Sequence, residues 1–439
     1  MNTSNLVLEI LPNRTTVKKN TGLDFMVRLR APKAPVSNHI KRLPLNIALS
    51  IDASGSMNGI PLMEAKKAAL AFFNQLHPED RISLIGYGNI VRTWMEPMFV
   101  SDAKTKFHER LNALHDGGGT ALHGGWLEAA NSIAPFATSD RLSRVIVLSD
   151  GQANIGIRDV NVIESNAKQL DEAGISTSTY GLGYNFDEVL MTKLAVGGNA
   201  FYASNADDLQ SYFQNEFHLL NKIAALRIKT KVEIKDSQGK AISYQLLNQA
   251  NQKDGKITMS TLVYESDSWL AFHISEKDVQ EKLHLEVSTE WTDPASQVVH
   301  ILHEHTEVKV GAKSSKLNEE VQARCDEARA AQIQAEASDA ALRGDFQGAE
   351  AALNMMSGMT GSSAYIAGVH QTLKASLTSG NLQEFSKEAR YSSVNMNNRL
   401  AAQDENPHIL EEDKLGFRKA VQGKSTTFSK DSSKEGGAL

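Results

Sequence analysis

From Leu43 to Ile223 the chain alternates two kinds of segment, and that alternation narrows the fold more than any other feature. Leu45-Asn46-Ile47-Ala48-Leu49-Ser50-Ile51 is short and mostly apolar, as a strand buried on both faces must be. Pro61–Leu76 follows, with Leu62, Ala65, Ala69, Phe72, Phe73 and Leu76 at helical spacing. The rhythm continues through a strand at Ile82–Tyr87, helices at Ala103–Leu114 and Ala121–Ala134, and a strand at Val145–Leu148. A helix at Asp159–Ala173, a strand at Ile175–Leu182 and a helix at Asp207–Ile223 complete it. Strands that alternate with helices call for a parallel sheet covered on both faces.

The flanks read differently. Leu6, Leu8 and Ile10, then Phe25, Val27 and Leu29, alternate in period two, with Pro12-Asn13-Arg14 and a Lys-rich segment between them. Period two returns at Arg227–Ile234 and recurs at Ile257–Tyr264, Ser268–Ser275, Lys282–Glu290 and Val298–Val310. Closely spaced strands without helices between them suggest an antiparallel sandwich. The two N-terminal strands have no core of their own and are expected to join it. Residues 315–403 are rich in Ala, Glu and Gln and read as helices. Tight turns are expected within Ala341–Glu350 and at Ser379-Gly380-Asn381-Leu382.

The expected fold class is therefore α/β: a doubly wound, mostly parallel sheet inserted into an antiparallel β-sandwich and followed by a C-terminal helical region. The segments are 1–42 (N-terminal sandwich strands), 43–224 (α/β domain), 225–312 (sandwich), 313–403 (helices) and 404–439. The last is a polar tail expected to be disordered, with Ser425-Thr426-Thr427 as a candidate phosphorylation site. A length of 439 residues fits several domains.

Composition limits the function classes. A net charge of -6 supplies no general basic field for nucleic acid or anionic lipid. The first residues lack a basic region followed by a long apolar run, so no secretory signal is expected, and no apolar stretch suits a membrane span. Cys325 is the single cysteine, which fits a reducing compartment and makes a cytoplasmic location the expectation.

The sharpest local feature is Asp52-Ala53-Ser54-Gly55-Ser56, just past the end of the first apolar strand. Ligands bind at that edge of an open α/β sheet. Short oxygen-bearing side chains with one or two carboxylates suit a hard divalent cation that keeps some of its waters. No thiolates or clustered imidazoles stand ready for zinc. Alone the string reads more readily as an ordinary turn or helix cap. Two further signals join it: Gly117-Gly118-Gly119-Thr120 opens a helix, and the strand Val145–Leu148 ends in Ser149-Asp150-Gly151.

In order and in place, these three elements resemble the von Willebrand factor A-type domain. The resemblance covers residues 43–223 and includes Tyr180-Gly181-Leu182-Gly183, Gly198-Asn199-Ala200-Phe201-Tyr202 and Asp207-Asp208-Leu209. It implies a metal-ion-dependent adhesion site. Ser54 and Ser56 would bind the ion through their hydroxyls and Thr120 directly or through water. Asp52 and Asp150 would act largely through coordinated waters. Mg2+ is the implied occupant, with Mn2+ or Ca2+ as alternatives, and an open position would accept an Asp or Glu carboxylate from a partner protein. The whole architecture resembles bacterial intracellular relatives and the inter-alpha-trypsin inhibitor heavy chain group. Bacterial members often work with MoxR-type ATPases or with kinase and phosphatase partners.

Other readings stay in view. A metal-dependent hydrolase or phosphoryl-transfer enzyme is the alternative class, although the chain has neither a G-x-x-x-x-G-K-[ST] loop nor a G-x-S-x-G elbow. A scaffold with a vestigial metal site is another. His115, Asp116 and His123 flank the glycine run and read as loop or cap residues, Trp126 as core, Gln152 and Asn154 as polar loop positions near the site. His303 and His305 share one face of a strand with no evident third ligand, and Cys325 reads as inert.

Overall fold

The computed structural model describes residues 6–34, 42–115, 117–183, 186–203, 206–248, 250, 252–401 and 403–404. The chain divides into one compact unit over Met1–Gln403, which holds the three sheets and the helices, and another over Asp404–Leu439. The rest of the polar tail, with Ser425-Thr426-Thr427, lies outside the described residues, as does Asp116.

Three strands come first: β1 (Val7–Pro12), β2 (Thr16–Lys18) and β3 (Leu23–Arg30). The α/β region then runs β4 (Leu45–Asp52), α1 (Ile60–Phe73), β5 (Arg81–Tyr87), β6 (Val91–Phe99), α2 (Val100–Ala113) and α3 (Leu122–Ile133). It continues with β7 (Leu142–Ser149), α4 (Val160–Glu172), β8 (Ile175–Leu182), α5 (Glu188–Leu194), β9 (Gly197–Ala203) and α6 (Ala206–Asn221). The strands form one sheet in the order β6-β5-β4-β7-β8-β9, parallel except for β6. Alternation along β4 feeds two cores. Leu45, Ile47, Leu49 and Ile51 pack with Phe72, Phe107 and Phe213 of α1, α2 and α6. Ala48 joins Val145 and Val147 of β7 in a core with Leu122, Trp126, Ile163 and Leu190 of α3, α4 and α5.

The chain leaves β4 toward β5 on one side and returns on the other to β7, so the winding reverses between β4 and β7. The crevice at their carboxyl ends is where such sheets bind ligands. In-register pairing of Ile51 with Leu148 brings Asp52 and Ser149 to that one edge.

The sequence pattern missed β6, α5 and β9. β6 is an antiparallel edge strand whose Arg92, Glu96 and Pro97 blur the alternation, and an edge strand tolerates them because one side needs no pairing. α5 has only seven residues, and β9 opens on Gly197-Gly198-Asn199; neither has the length or apolar content that periodicity requires.

After α6 come β10 (Ile223–Asp236), β11 (Gln245–Leu246), β12 (Gln252–Lys253), β13 (Lys256–Thr258), β14 (Leu262–Val263), β15 (Ser266–Ile274), β16 (Leu283–Thr292) and β17 (Val299–Gly311). One sheet has the order β1-β3-β15-β11; the other runs β12-β13-β10-β16-β17-β2, with β14 also paired to β10. Their apolar faces, among them Phe25, Val27, Phe272, Ile228, Leu285 and Val287, meet in a single core. The N-terminal strands thus complete the sandwich, and the α/β region enters and leaves between β3 and β10. The stretch expected as one strand at Ile257–Tyr264 is two short ones, and β2, too short to show a period, is an unexpected parallel partner of β17. His303 and His305 lie exposed on the outer, charged face of β17, opposite Ser288 and Glu286.

Four helices follow: α7 (Glu319–Leu342), α8 (Phe346–Ser357), α9 (Ala364–Thr378) and α10 (Leu382–Ala401). The turns at Gly344 and Gly380 fall where expected. α7 covers the sandwich through Val321, Cys325 and Ala328 against Met26, Trp269 and Ala271. α10 reaches the α/β region: the buried Lys387 ammonium sits 2.6 Å from Glu188 Oε2 and donates to the Phe186 carbonyl, and Ser386 donates to Glu188 Oε1 at 2.7 Å. Among the described residues no helix is long and apolar enough to cross a membrane.

Candidate metal centre

β4 ends at Asp52, whose side chain is 0% exposed. Its Oδ1 accepts the Ser54 N–H at 2.8 Å and its Oδ2 accepts the Ser149 hydroxyl at 2.6 Å. A short 3-10 turn at Gly55–Met57 then lifts Ser56 to the surface while Ser54 stays buried at 1%. The glycine run is stitched to this turn by backbone bonds: Gly55 N–H to the Gly118 carbonyl at 2.9 Å and Gly117 N–H to the Ala53 carbonyl at 2.7 Å. Gly118 has φ +73°, and a Cβ there would lie 2.0 Å from Asn89 Nδ2, so only glycine fits. The run delivers Thr120, 3% exposed, to the same place.

The structure brings all five expected side chains together. Ser54 Oγ and Ser56 Oγ are 3.0 Å apart, and Ser56 donates to Asp150 Oδ1 at 2.8 Å. The space they share is marked by a missing atom. A Cβ on Gly151 would lie 3.3 Å from Ser56 Oγ, 3.4 Å from Thr120 Oγ1 and 3.9 Å from Asp52 Oδ2. Oxygens from three loops thus converge on a cradle kept open by glycine. Neighbouring ligands of an octahedral Mg2+ stand about 3 Å apart, because each bond is about 2.1 Å, so the donor set and its spacing fit a hard divalent cation. Among the described residues no group of three or more His, Cys, Asp or Glu side chains could hold a metal ion.

Electrostatics point the same way. Burial lifts the Asp52 carboxyl to about 6, against the hydrogen bonds from Ser149 and Ser54 and with help from the Asp150 charge. Burial also raises Asp150, partly offset by its bond from Ser56. A buried and a half-buried carboxylate with no basic partner in their hydrogen bonds are an unbalanced charge that a divalent cation would neutralise.

Residues 46–215 match the family described as the von Willebrand factor type A domain. These residues form a type A domain. Relatives match part of the chain. An uncharacterized protein of Synechocystis sp. is 29% identical over 212 residues, 46% of this chain and 48% of that one. Inter-alpha-trypsin inhibitor heavy chain H2 of Sus scrofa is 28% identical over 165 residues, 35% of this chain and 17% of that one. The chain therefore spans less than half the length of these curated relatives. A solved structure described as von Willebrand factor type A from Catenulispora acidiphila is similar over 89% of this chain and 97% of that chain, with a TM-score of 0.66 at 15% identity. At that identity the likeness is one of fold, and it takes in the sandwich and helices beside the type A domain.

Around the cradle, the type A domain places the remaining candidates further out. His115 turns its ring edge to Trp94 at 5.4 Å. His123 is buried in α3 against Trp126, its ring nitrogen 3.3 Å from Asn166, and burial lowers its pKa. Trp126 is core and donates to Thr177 at 3.0 Å. Gln152 and Asn154 are exposed beside the site. Two functional positions were not read from the sequence. Ser149 holds Asp52, and Asn89 holds the glycine turn by accepting the Gly119 N–H at 2.6 Å. Ser149 adjoins Asp150 and could have been suspected; Asn89 carries no sequence signal.

Proposed function

We propose that the type A domain is a metal-dependent protein-interaction module that binds an acidic side chain of a partner. Ser54, Ser56 and Thr120 would hold the cation by their hydroxyls, with Asp52 and Asp150 acting through coordinated waters, and Mg2+ is the occupant best matched to hard oxygen donors. What carries the reading is the convergence of Ser56, Thr120 and Asp52 oxygens on the space over Gly151. With only two carboxylates in the set, the cation stays electrophilic enough to take a third from outside. Ser56 is exposed and Asp150 half-buried, so a partner can reach it. Ile90, 75% exposed, and Ile157, 44% exposed, stand on the flanking loops and favour a partner with apolar side chains beside its carboxylate. Type A domains are generally interaction modules, which favours binding over turnover. The sandwich and the helical segment would hold this module in a larger assembly in the cytoplasm.

Calorimetric titration with Mg2+ tests the reading. Wild type should bind one ion per chain and Asp52→Ala none, and capture of a partner from lysate should be abolished by chelator and by Asp52→Ala alike. A partner retained equally under all conditions, or no Mg2+ heat from a folded wild type, would sink it.

A further inference from the structure

Two carboxamides stand over the glycine turn that presents Thr120. Asn89 Oδ1 accepts the Gly119 N–H at 2.6 Å, and Asn154 Oδ1 accepts the Thr120 N–H at 2.7 Å. Asn154 also gives its own backbone N–H to the Thr120 carbonyl at 3.1 Å, which ties the loop carrying Asp150 to the loop carrying Thr120. The two oxygens flank one residue: a Cβ on Gly119 would lie 2.5 Å from Asn154 Oδ1 and 3.2 Å from Asn89 Oδ1.

A backbone N–H can only donate, so it dictates which end of each carboxamide faces the turn. Both oxygens are committed to the turn; the Asn154 NH2 is turned away from it, while the Asn89 NH2 lies over Gly118, 2.0 Å from where a Cβ would stand. Both residues are exposed, and among the described residues neither Nδ2 has an acceptor. The same bonds occupy the N–H groups of Gly119 and Thr120, which would otherwise be the natural donors to an anion at this turn. Residues 52–58, 86–91, 117–121 and 149–157 contain no Lys or Arg, and the exposed Arg92 and Arg158 follow directly. The carboxamide nitrogens are thus side-chain donors without an acceptor among the described residues, on two residues whose oxygens grip the turn that presents Thr120.

We infer that Asn89 and Asn154 are the second half of the carboxylate site. With one carboxylate oxygen on the cation, the other accepts a hydrogen bond from Asn154 Nδ2 or Asn89 Nδ2. The inference rests on the metal-site reading above and sharpens it: the site selects anions with two oxygens on one carbon over single-atom anions. Such a bond to a charged acceptor is among the stronger ones in a protein.

The test uses the full chain loaded with Mn2+, with acetate and fluoride as probes, read by displacement of metal-bound water in proton relaxation. Asn154→Asp and Asn89→Asp keep the oxygen that holds the turn but replace the donor with a second oxygen. The added charge repels both probes alike, whereas only acetate loses a hydrogen bond. In at least one variant Mn2+ should bind no more weakly than to wild type, while acetate affinity falls about tenfold relative to fluoride. Acetate and fluoride weakening in step in both variants would overturn the inference and leave the metal site standing. Loss of Mn2+ in both variants would reduce the carboxamides to props of the loop and overturn it equally. A wild type that takes no Mn2+ would fell the metal-site reading itself, and this inference with it.

Discussion

Replacing Asp52 with asparagine should stabilise the cation-free protein while abolishing cation binding. The carboxyl of Asp52, fully buried, is lifted from 3.8 to about 6 chiefly by that burial. A folded-state pKa above the unfolded one means that the folded protein holds the proton more tightly. The group's favourable contribution is then complete below about pH 4 and is lost as pH rises through about 6. At about 1.36 kcal/mol per unit, the ionised carboxylate costs the folded state about 3 kcal/mol at pH 7.5. Asparagine keeps the shape and the bond to the Ser54 N–H, and the Ser149 hydroxyl can reverse to accept from the new NH2. One kcal/mol moves the Tm of a domain this size by about 2–4 °C, so in chelator at pH 7.5 Asp52→Asn should melt about 6–12 °C above wild type. The gap should close near pH 4. Excess Mg2+ should raise wild type, by mass action on the folded state, and leave the variant unmoved. Scanning calorimetry at the two pH values, with and without Mg2+, reads all of this. A variant that melts below wild type in chelator at pH 7.5, or that gains as much from Mg2+, would contradict a buried, cation-binding carboxylate at Asp52.

Three more outcomes are expected. Gly151→Ala puts a methyl 3.3 Å from Ser56 Oγ and 3.4 Å from Thr120 Oγ1; Mg2+ affinity should fall at least about tenfold with the Tm in chelator little changed, and unaltered affinity would dismiss the cradle. Lys387→Met leaves Glu188 buried without its cation; urea unfolding should show a loss of about 3–5 kcal/mol that Glu188→Gln in the same chain largely restores, and a loss below about 1 kcal/mol would deny the link between α10 and α5. Burial pushes the Cys325 thiol well above its usual pKa, so an aromatic disulfide reagent should label it only after unfolding, and rapid labelling of the native protein would contradict that placement.

The parts of this structure that were legible in the sequence are those where one physical demand acts on consecutive residues. β4 and β7 are buried on both faces and could not hide their apolar runs. The cradle was legible by another route. Asp52, Ser54 and Ser56 stood out as short oxygen side chains just past a buried strand, and the resemblance to the type A domain is what joined Thr120 and Asp150 to them. β6 was lost because an edge strand obeys half the rules of a central one. Asn89 was lost because its role is to accept one backbone N–H from a loop distant in sequence, and nothing in Gly88-Asn89-Ile90 reports that partner. The engagement of α10 with α5 was hidden for the same reason. A buried Lys387 is indistinguishable from a solvated one until Glu188 and the Phe186 carbonyl are seen around it.

The central claim is that these five side chains gather around one divalent cation with a position left for a carboxylate. Anomalous diffraction from crystals soaked in Mn2+ tests it most directly. A single strong peak is expected over Gly151, about 2.1 Å from the hydroxyl oxygens of Ser54 and Ser56, with Thr120 at that distance or one water beyond and Asp52 and Asp150 reached through water. The position facing solvent should hold a water or a carboxylate from a neighbouring molecule. A peak elsewhere, or none at this cradle in a well-ordered crystal at millimolar Mn2+, would contradict it.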